Sequence, residues 1–211
     1  MLRIFLIRHG ETEANRAGRY QGTTDHPLSE IGRQQAAEVA SDLKEVAFTK
    51  VFASPLNRSQ ETAKIVCPQQ AALVIPGFIE RNFGVWEDMA YTDIKANYAE
   101  LYRSWLKAPH NTVIPQAVTL QDHQKEILRG LAAVEQAHQP EKEENFLIAG
   151  HGGTNRVILL HYLNMELSGF WRIKQDNCCV NIIEIDKIKN YTTVALVNYT
   201  RDIYQTKRYR Y

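Results

Sequence analysis

The sequence lacks the features of several protein classes. Its 211 residues include only three cysteines, Cys67, Cys178 and Cys179, and two of them are adjacent, which makes a poor disulfide framework. Neither a CxxC nor an HExxH motif occurs, so no metal site is predicted. The net charge of +1 gives no overall attraction for nucleic acid or for an anionic membrane surface. These absences favour a protein of the reducing cytoplasm that has no nucleic-acid partner.

Long apolar runs are missing as well. No segment approaches the length of a membrane span, and no basic-then-apolar leader precedes the first apolar run, so we expect neither membrane association nor secretion. Hydrophobic residues make up 44% of the chain, which is ample for a core. Short apolar runs alternate with helical patterns. This alternation predicts a single α/β domain over residues 1–211 with a mainly parallel sheet.

The first apolar run ends in side chains that can do chemistry. Residues 4–7 have the length and β-branched content of a buried strand, and Arg8, His9 and Gly10 follow directly. Ligands bind at strand ends in open α/β sheets. A guanidinium matches phosphate oxygens, and a histidine can carry a covalent intermediate. The pattern indicates a phosphoryl-transfer site with His9 as nucleophile, although a structural histidine at a strand end is the alternative.

The chain repeats this design once. Residues 146–149 form another short apolar run, which Gly150, His151, Gly152 and Gly153 follow. If the two strands were neighbours in one sheet, their histidines would converge. The repetition favours the functional interpretation of the pair over the structural one.

A third strand end supplies a second cation. Residues 50–53 are predicted to form a strand, and Ser54 with Pro55 is predicted to begin a helix, with Ser54 as its N-cap. Arg58 then falls in the first turn of that helix. A guanidinium beside free backbone N–H groups makes an anion pocket, although an exposed arginine is the more ordinary interpretation.

Two loops hold the remaining candidates. Residues 11–27 are polar, and their candidates for lining a polar-ligand site are Asn15, Arg19, Gln21 and Gly22, each of which is equally well explained as solvated surface. The second loop carries three carboxylates, Glu80, Glu87 and Asp88, among aromatic residues. One of them is a candidate general acid, and the residues alone do not choose among the three.

The rest of the chain is predicted to be structural. A helical region around residues 91–138, rich in aromatics, is expected to form a lid or insertion. Residues 180–185 and 191–198 are predicted to form a hairpin, and with the aromatic region they are candidate faces for a homodimer. The basic, tyrosine-rich residues 201–211 are expected to be a solvated end, with nucleic-acid contact as a weaker alternative.

At this point the motifs resemble a family. The run Leu6-Ile7-Arg8-His9-Gly10-Glu11-Thr12, together with Asn15, is similar to the signature of the histidine phosphatase superfamily, also called phosphoglycerate mutase-like. Further blocks of the family are matched in order by Gln21-Gly22 with Asp25, by Ser54-Pro55-Leu56-x-Arg58, by Glu80-x-x-Phe83-Gly84-x-Trp86-Glu87 and by His151-Gly152-Gly153. The resemblance implies a three-layer α/β/α sandwich with a mainly parallel central sheet.

The resemblance also implies a role for each matching residue. His9 would become the phosphohistidine, while Arg8, Arg58 and His151 would hold the phosphoryl oxygens. Glu80 would protonate the leaving group and then activate water. Asn15, Gln21, Gly22 and Gly152 would bind the phosphate or line the entrance. The implied activity is hydrolysis of a small phosphorylated metabolite with no metal and no cofactor, because two arginines and a histidine supply the positive electrostatics.

Two rival functions and two departures accompany this hypothesis. A phosphoglycerate mutase is the nearest rival, and a non-catalytic phosphate-ligand or protein-binding module is the more distant one. Residues 116–119 replace a Gly-Gly-Glu-Ser-like segment, so that Val118 stands where a glutamate is usual. Asp88 stands where a glycine is usual. The first departure bears on the identity of the substrate, and the second on the turn beside the acid.

Overall fold

The computed structural model describes residues 1–201, whose central element is a six-stranded sheet. Its strands are β1 (Leu2–Arg8), β2 (Lys50–Ala53), β3 (Leu73–Val74), β4 (Glu144–Gly150), β5 (Val180–Asp186) and β6 (Tyr191–Tyr199). They lie in the order β3-β2-β4-β1-β5-β6. The first four are parallel, whereas β5 runs antiparallel to both β1 and β6. The prediction of a mainly parallel sheet and a terminal hairpin is confirmed.

Helices cover both faces of the sheet. They are α1 (Glu13–Arg16), α2 (Glu30–Asp42), α3 (Asn57–Val66), α4 (Tyr91–Asn97), α5 (Ala99–Lys107), α6 (Leu120–Gln136) and α7 (Gly152–Tyr162). Successive side chains of a strand point to opposite faces. In β1, Ile4 and Leu6 belong to one apolar cluster with α5, α6 and α7, while Phe5 and Ile7 belong to a second cluster with α2 and α3. The result is the expected three-layer α/β/α arrangement.

The register of β1 and β4 positions the site. Arg8 lies opposite Gly150 in this parallel pair, so His9 and His151 leave the sheet at the same edge. The backbone N–H of His9 donates to the carbonyl of Gly150 over 3.0 Å, which continues the ladder one residue beyond β1. The convergence that the repeated strand-histidine-glycine pattern predicted is therefore present.

Several local predictions need correction. Ser54 is not the N-cap of α3, which begins at Asn57 after Leu56; its hydroxyl accepts from the N–H of Leu56 and bonds His151 Nε2. The aromatic part of the predicted helical region consists of α4 and α5, which meet at Tyr98. The loop over residues 11–27 contains α1, which Thr12 caps with its hydroxyl.

Two further observations bear on the end of the chain and on membranes. Apart from Arg201, the tail for which a solvated end was predicted lies outside the described residues. Within residues 1–201, no helix is both long and apolar enough to cross a bilayer.

Candidate active site

The two strand-end histidines meet in the interior. His9 is 3% exposed, His151 is fully buried, and their ring centroids lie 5.2 Å apart with the planes inclined by 61°. The contact follows from the pairing of β1 with β4, since each histidine is the first residue after its strand. Two imidazoles thus share one small volume at the sheet edge.

The backbone fixes the orientation of His9. Its Nδ1 lies 2.7 Å from the carbonyl oxygen of Gly10, and because a carbonyl only accepts, Nδ1 carries the hydrogen. The lone pair is therefore on Nε2. Gly10 is held in turn, because its N–H donates to Thr62 Oγ1 over 3.1 Å. A nucleophilic role for this imidazole would therefore use Nε2.

The surroundings keep His9 neutral. Burial, followed by the positive charges of Arg58 and Arg8, holds the pKa of His9 well below its usual value of 6.5. A protonated imidazole has no lone pair on Nε2 and cannot act as a nucleophile. The same two cations that favour an anionic ligand thus also preserve the reactive form of the side chain.

Arg58 is fully buried and held by the loop before α2. One terminal nitrogen, Nη1, donates to the carbonyl of Thr24 over 2.9 Å and to Asp25 Oδ1 over 3.2 Å. The other, Nη2, donates to the carbonyl of Gly22 over 2.6 Å. A buried cation needs such partners, because burying an unpaired charge is very costly. The loop predicted to bind ligand therefore also anchors the guanidinium.

Three buried nitrogen atoms around His9 lack partners among the described residues. They are Nε of Arg8, Nε of Arg58 and Nδ1 of His151. Arg8 is fixed through Nη1, which donates to the carbonyl of Gln175 over 2.7 Å. An unpaired buried donor costs about 1–3 kcal/mol, and an oxyanion that accepted from these nitrogens would remove that cost. The cluster has the composition of an anion-binding site.

The structure distinguishes among the three acids. Glu80 is buried, lines the same cavity as His9, and its two oxygens accept from the N–H groups of Gly153 (2.8 Å) and Arg81 (2.9 Å). Glu87 instead accepts from backbone N–H groups of the surrounding loops, and Asp88 contacts His26. Only Glu80 is positioned as a candidate general acid.

Gly153 permits the approach of Glu80. A Cβ atom on Gly153 would lie 2.5 Å from Glu80 Oε1, a distance that real Cβ contacts do not reach. The neighbouring Gly152 is roomier, because a Cβ atom placed there would lie 3.4 Å from its nearest neighbour. Of the two glycines that begin α7, Gly153 is therefore the one that the position of Glu80 requires.

Three of the four predicted binding residues line the cavity. These are Asn15, Gln21 and Gly152. Asn15 Oδ1 accepts from Asn177 Nδ2 over 3.1 Å, and Gln21 Nε2 donates to Thr12 Oγ1 over 2.9 Å. Gly22 contributes through its carbonyl, which holds Arg58 rather than facing the ligand.

The cavity beside His9 has a volume of about 420 Å³, within the range of small-molecule sites. Its wall contains seven aromatic residues, Tyr20, Phe83, Tyr91, Tyr102, Trp105, Phe170 and Trp171. Arg58 and His151 lie beneath its surface and are fully buried. Residues 1–201 contain no cluster of three or more His, Cys, Asp or Glu side chains placed to hold a metal ion.

At both departures from the family pattern, the backbone adopts the conformation that glycine favours. Asp88 has φ of +57° and Gln116 has φ of +62°, which is the left-handed region that favours glycine. Val118 is 42% exposed, and its carbonyl accepts from Arg81 Nε over 2.6 Å. The segment of residues 116–119 thus supports Arg81, the neighbour of the acid, through its backbone.

Three residues that support the site, and a fourth that lines its cavity, were not predicted from the sequence. Ser54 bonds His151 Nε2 at 2.7 Å, Asp25 pairs with Arg58, and Asn177 donates to the carbonyl of His9 over 3.1 Å. Arg156 lines the cavity. Asp25 belongs to a block of the family resemblance, which implied no role for it. Ser54 also belongs to such a block but was predicted only as a helix N-cap, and Asn177 and Arg156 carried no spacing signal that separates them from ordinary polar residues.

Comparison with known proteins gives the family. The model of the histidine phosphatase superfamily (branch 1) matches residues 4–199. The chain belongs to the histidine phosphatase superfamily. This confirms the resemblance in sequence and with it the expected activity class, phosphoric monoester hydrolysis.

Individual relatives span nearly the whole chain. Phosphoserine phosphatase 1 of Hydrogenobacter thermophilus is 29% identical over 90% of each chain. The crystal structure of the α-ribazole phosphatase from Shigella flexneri superimposes with a TM-score of 0.81 at 30% identity, covering 93% of this chain and 96% of that one. A probable phosphoglycerate mutase of Erwinia tasmaniensis is 30% identical and covers 87% of this chain and 85% of its own.

Proposed function

We propose that the protein hydrolyses the phosphate monoester of a small alcohol through a phosphohistidine formed on His9. The observation that carries the proposal is the neutral imidazole whose Nε2 lone pair is set by the Gly10 carbonyl, between two arginines. The other residues take the roles that their positions allow: Arg8, Arg58 and His151 stabilise the phosphoryl charge, and Glu80 handles protons.

The first step transfers the phosphoryl group to the enzyme. The Nε2 lone pair of His9 attacks phosphorus, and the bond between phosphorus and the ester oxygen breaks with its electron pair on that oxygen. Protonated Glu80 donates its proton to the departing alkoxide. The oxygens of the transferring group accept hydrogen bonds from the guanidinium groups and from His151 Nδ1.

The second step releases phosphate. Glu80, now a carboxylate, removes a proton from a water molecule, whose oxygen attacks phosphorus. The phosphorus–nitrogen bond breaks, its electron pair returns to His9 Nε2, and inorganic phosphate leaves. The proton on Glu80 is restored, so the cycle closes without a redox partner.

The proposal is tested with an aryl phosphate in the presence of EDTA. We expect wild type to turn over, and His9→Gln to lose activity by at least about a thousand-fold, because the nucleophile is removed. His161→Gln is the matched control, since His161 is an exposed histidine of α7 outside the cavity. Rapid quenching in alkali should trap a phosphoenzyme in wild type and in the control, and none in His9→Gln. Activity that persists in His9→Gln, or that EDTA abolishes, contradicts the proposal.

A mutase activity is the second candidate, and the relative named a probable phosphoglycerate mutase supports it. The two reactions share the phosphohistidine and differ in the acceptor, which is a second substrate hydroxyl in a mutase and water in a phosphatase. Incubation with 3-phosphoglycerate and its bisphosphate primer separates them: a mutase forms 2-phosphoglycerate, and a phosphatase releases inorganic phosphate. If neither 2-phosphoglycerate nor inorganic phosphate forms, the result would favour a non-catalytic phosphate-binding module.

The proposal extends to the organisation of the protein. The helical region around residues 91–138 serves as a lid on one catalytic domain, and its support is that Tyr91, Lys95, Tyr102 and Trp105 line the cavity. We place the enzyme in the cytoplasm without a nucleic-acid partner. We also propose that it forms a homodimer, and light scattering measures this oligomeric state. Cell fractionation tests the location.

A further inference from the structure

Arg156 is a buried cation on the wall of the cavity. It lies on α7 four residues after Gly152 and is 8% exposed. Other cations on this wall, Arg16, Arg19, Lys95 and Lys174, are exposed. Burying an arginine sacrifices hydration, so a buried arginine on a ligand cavity is a candidate for ligand recognition.

The position of Arg156 is fixed by its surroundings. Its Nε donates to the carbonyl of Ile173 over 2.8 Å. Its guanidinium carbon lies 4.9 Å from the ring centroid of Trp171 and 5.4 Å from that of Phe170, and both rings also line the cavity. A guanidinium held in this way is preorganised, because little rotamer entropy remains to be lost on binding a ligand.

Arg156 is adjacent to the phosphoryl site. A Cβ atom built on Gly152 would lie 3.4 Å from Arg156 Nη1 and 3.5 Å from Arg8 Nε, so the two guanidinium groups flank the same glycine. Arg8 stands at the end of β1 beside His9, whereas Arg156 stands one turn along α7, next to the aromatic wall. His9, Arg156 and the aromatic wall line one cavity, so the alcohol portion of a phosphate ester bound at His9 would extend along that wall.

We propose that Arg156 binds a second anionic group, a carboxylate or a second phosphoryl group, on the alcohol portion of the substrate. The inference rests on the proposed hydrolysis at His9 and specifies its substrate class. A planar guanidinium suits both anions, because each can accept two parallel N–H bonds. Arg8, Arg58 and His151 serve the group that is transferred, and Arg156 serves the group that stays behind.

The test compares three matched substrate series of about two to five carbons: alkyl phosphates with an uncharged end, ω-carboxyalkyl phosphates, and alkane bisphosphates. We expect wild type to favour one anionic series over the uncharged one by about 10- to 100-fold in kcat/KM, the range of a charge-assisted hydrogen bond. Which anionic series is favoured identifies the second group. The alkyl chain length that gives the highest kcat/KM measures the distance of the second anionic group from phosphorus.

Arg156→Met is the decisive variant, because it retains an apolar stem against Trp171 and Phe170. It should abolish the preference while kcat/KM for the uncharged series changes less than about three-fold. Arg156→Lys, which keeps the charge without the planar fork, should retain part of the preference and covers the case that the methionine variant does not fold. Arg172→Gln, on an exposed arginine outside the cavity, is the matched control and should retain the full preference.

Two outcomes overturn the inference. If wild type shows no preference for either anionic series, no second anion is recognised. If Arg156→Met lowers all three series equally, Arg156 acts on the transferred phosphoryl group instead. Failure of the proposed function is recognised separately, since wild type would then hydrolyse none of the three series and form no phosphoenzyme dependent on His9.

Discussion

Ser54 Oγ lies 2.7 Å from His151 Nε2 and determines which nitrogen of that imidazole carries the hydrogen. The buried Ser54 hydroxyl also accepts from the N–H of Leu56 over 3.3 Å, and among residues 1–201 its own hydrogen has no acceptor within hydrogen-bond distance other than Nε2, so the hydroxyl donates to Nε2. Burial and the charge of Arg58 hold the pKa of His151 well below its usual range, so the ring is neutral. Nδ1 therefore carries the hydrogen and can donate it to a phosphoryl oxygen.

Replacing Ser54 by alanine should impair catalysis rather than folding alone. We expect Ser54→Ala to lower kcat by about 10- to 100-fold, because His151 loses the group that sets its tautomer. Ser59→Ala is the matched control: Ser59 is equally buried and donates to the carbonyl of Ala149 over 2.7 Å, so its loss should cost about 1–2 kcal/mol of unfolding free energy with little change in kcat. Equal kcat losses in both variants would argue against the tautomer role.

Glu80→Gln should lower kcat/KM more for substrates with a poor leaving group than for substrates with a good one. An alkoxide needs a proton as it departs, whereas a nitrophenolate is stable without one. We expect the variant to lose at least about 100-fold in kcat/KM on alkyl phosphates and much less on p-nitrophenyl phosphate. Glu87→Gln is the control, since Glu87 bonds loop backbone: it should lower the melting temperature and leave the alkyl-to-aryl ratio unchanged. An unchanged ratio in Glu80→Gln would remove Glu80 from the role of acid.

Asp25→Asn should weaken phosphate binding and stability together. Asp25 is the carboxylate bonded to the fully buried Arg58, and its loss leaves that charge to the carbonyls of Thr24 and Gly22. We expect KM to rise about ten-fold and the free energy of unfolding to fall by about 1–3 kcal/mol. Asp122→Asn, which breaks the exposed pair with Lys125, should change neither quantity measurably in urea titrations and steady-state assays.

Stability should decline as the pH falls below about 6.5. In the unfolded chain His9, His123 and His151 titrate near 6.5, whereas burial lowers the pKa of each in the native state. Below 6.5 the unfolded state therefore binds more protons, and each histidine removes up to about 1.4 kcal/mol per pH unit until its native pKa is reached. Urea titrations between about pH 7.5 and 5.5 measure the slope, a window above the titration of ordinary carboxylates.

Removing one of the three histidines whose pKa is lowered checks the origin of that slope. His123 bonds the carbonyl of Ile79, and in His123→Phe the titrating group is gone, so the slope should be shallower than that of wild type. His161→Gln, on an exposed histidine, should leave the slope unchanged. A wild-type stability independent of pH in this window would contradict the neutral state of the buried histidines.

The centre of the site could be predicted from sequence because it lies at strand ends. An apolar run followed by His9 or His151 marks where the chain leaves the sheet, and parallel strands bring such ends to one edge. The supporting contacts could not be predicted. Ser54 and His151 are 97 residues apart, and Asn177 reaches the carbonyl of His9 across 168 residues. Such pairs follow from tertiary packing, which local patterns do not encode.

The correction at Ser54 has the same origin. A serine followed by proline predicts a helix N-cap from local chemistry, whereas the Ser54 hydroxyl bonds both the N–H of Leu56 and the distant His151, and α3 begins only at Asn57. Conversely, the turns at Asp88 and Gln116 kept a glycine-like conformation although the glycine itself is missing, because the surrounding contacts determine the backbone there. Local rules fail in both cases where the site imposes its own geometry.

The place of β1 between β4 and β5 has a consequence for the protein during its synthesis. The ribosome makes β1, which His9 follows, well before the two strands that flank it, β4 and β5. Arg8 receives its carbonyl partner from Gln175, and the carbonyl of His9 receives a donor from Asn177, only after most of the chain has emerged. The environment of His9 therefore depends on contacts distant in sequence, and pairing of this kind slows folding because the loop-closure entropy is lost before the contacts form.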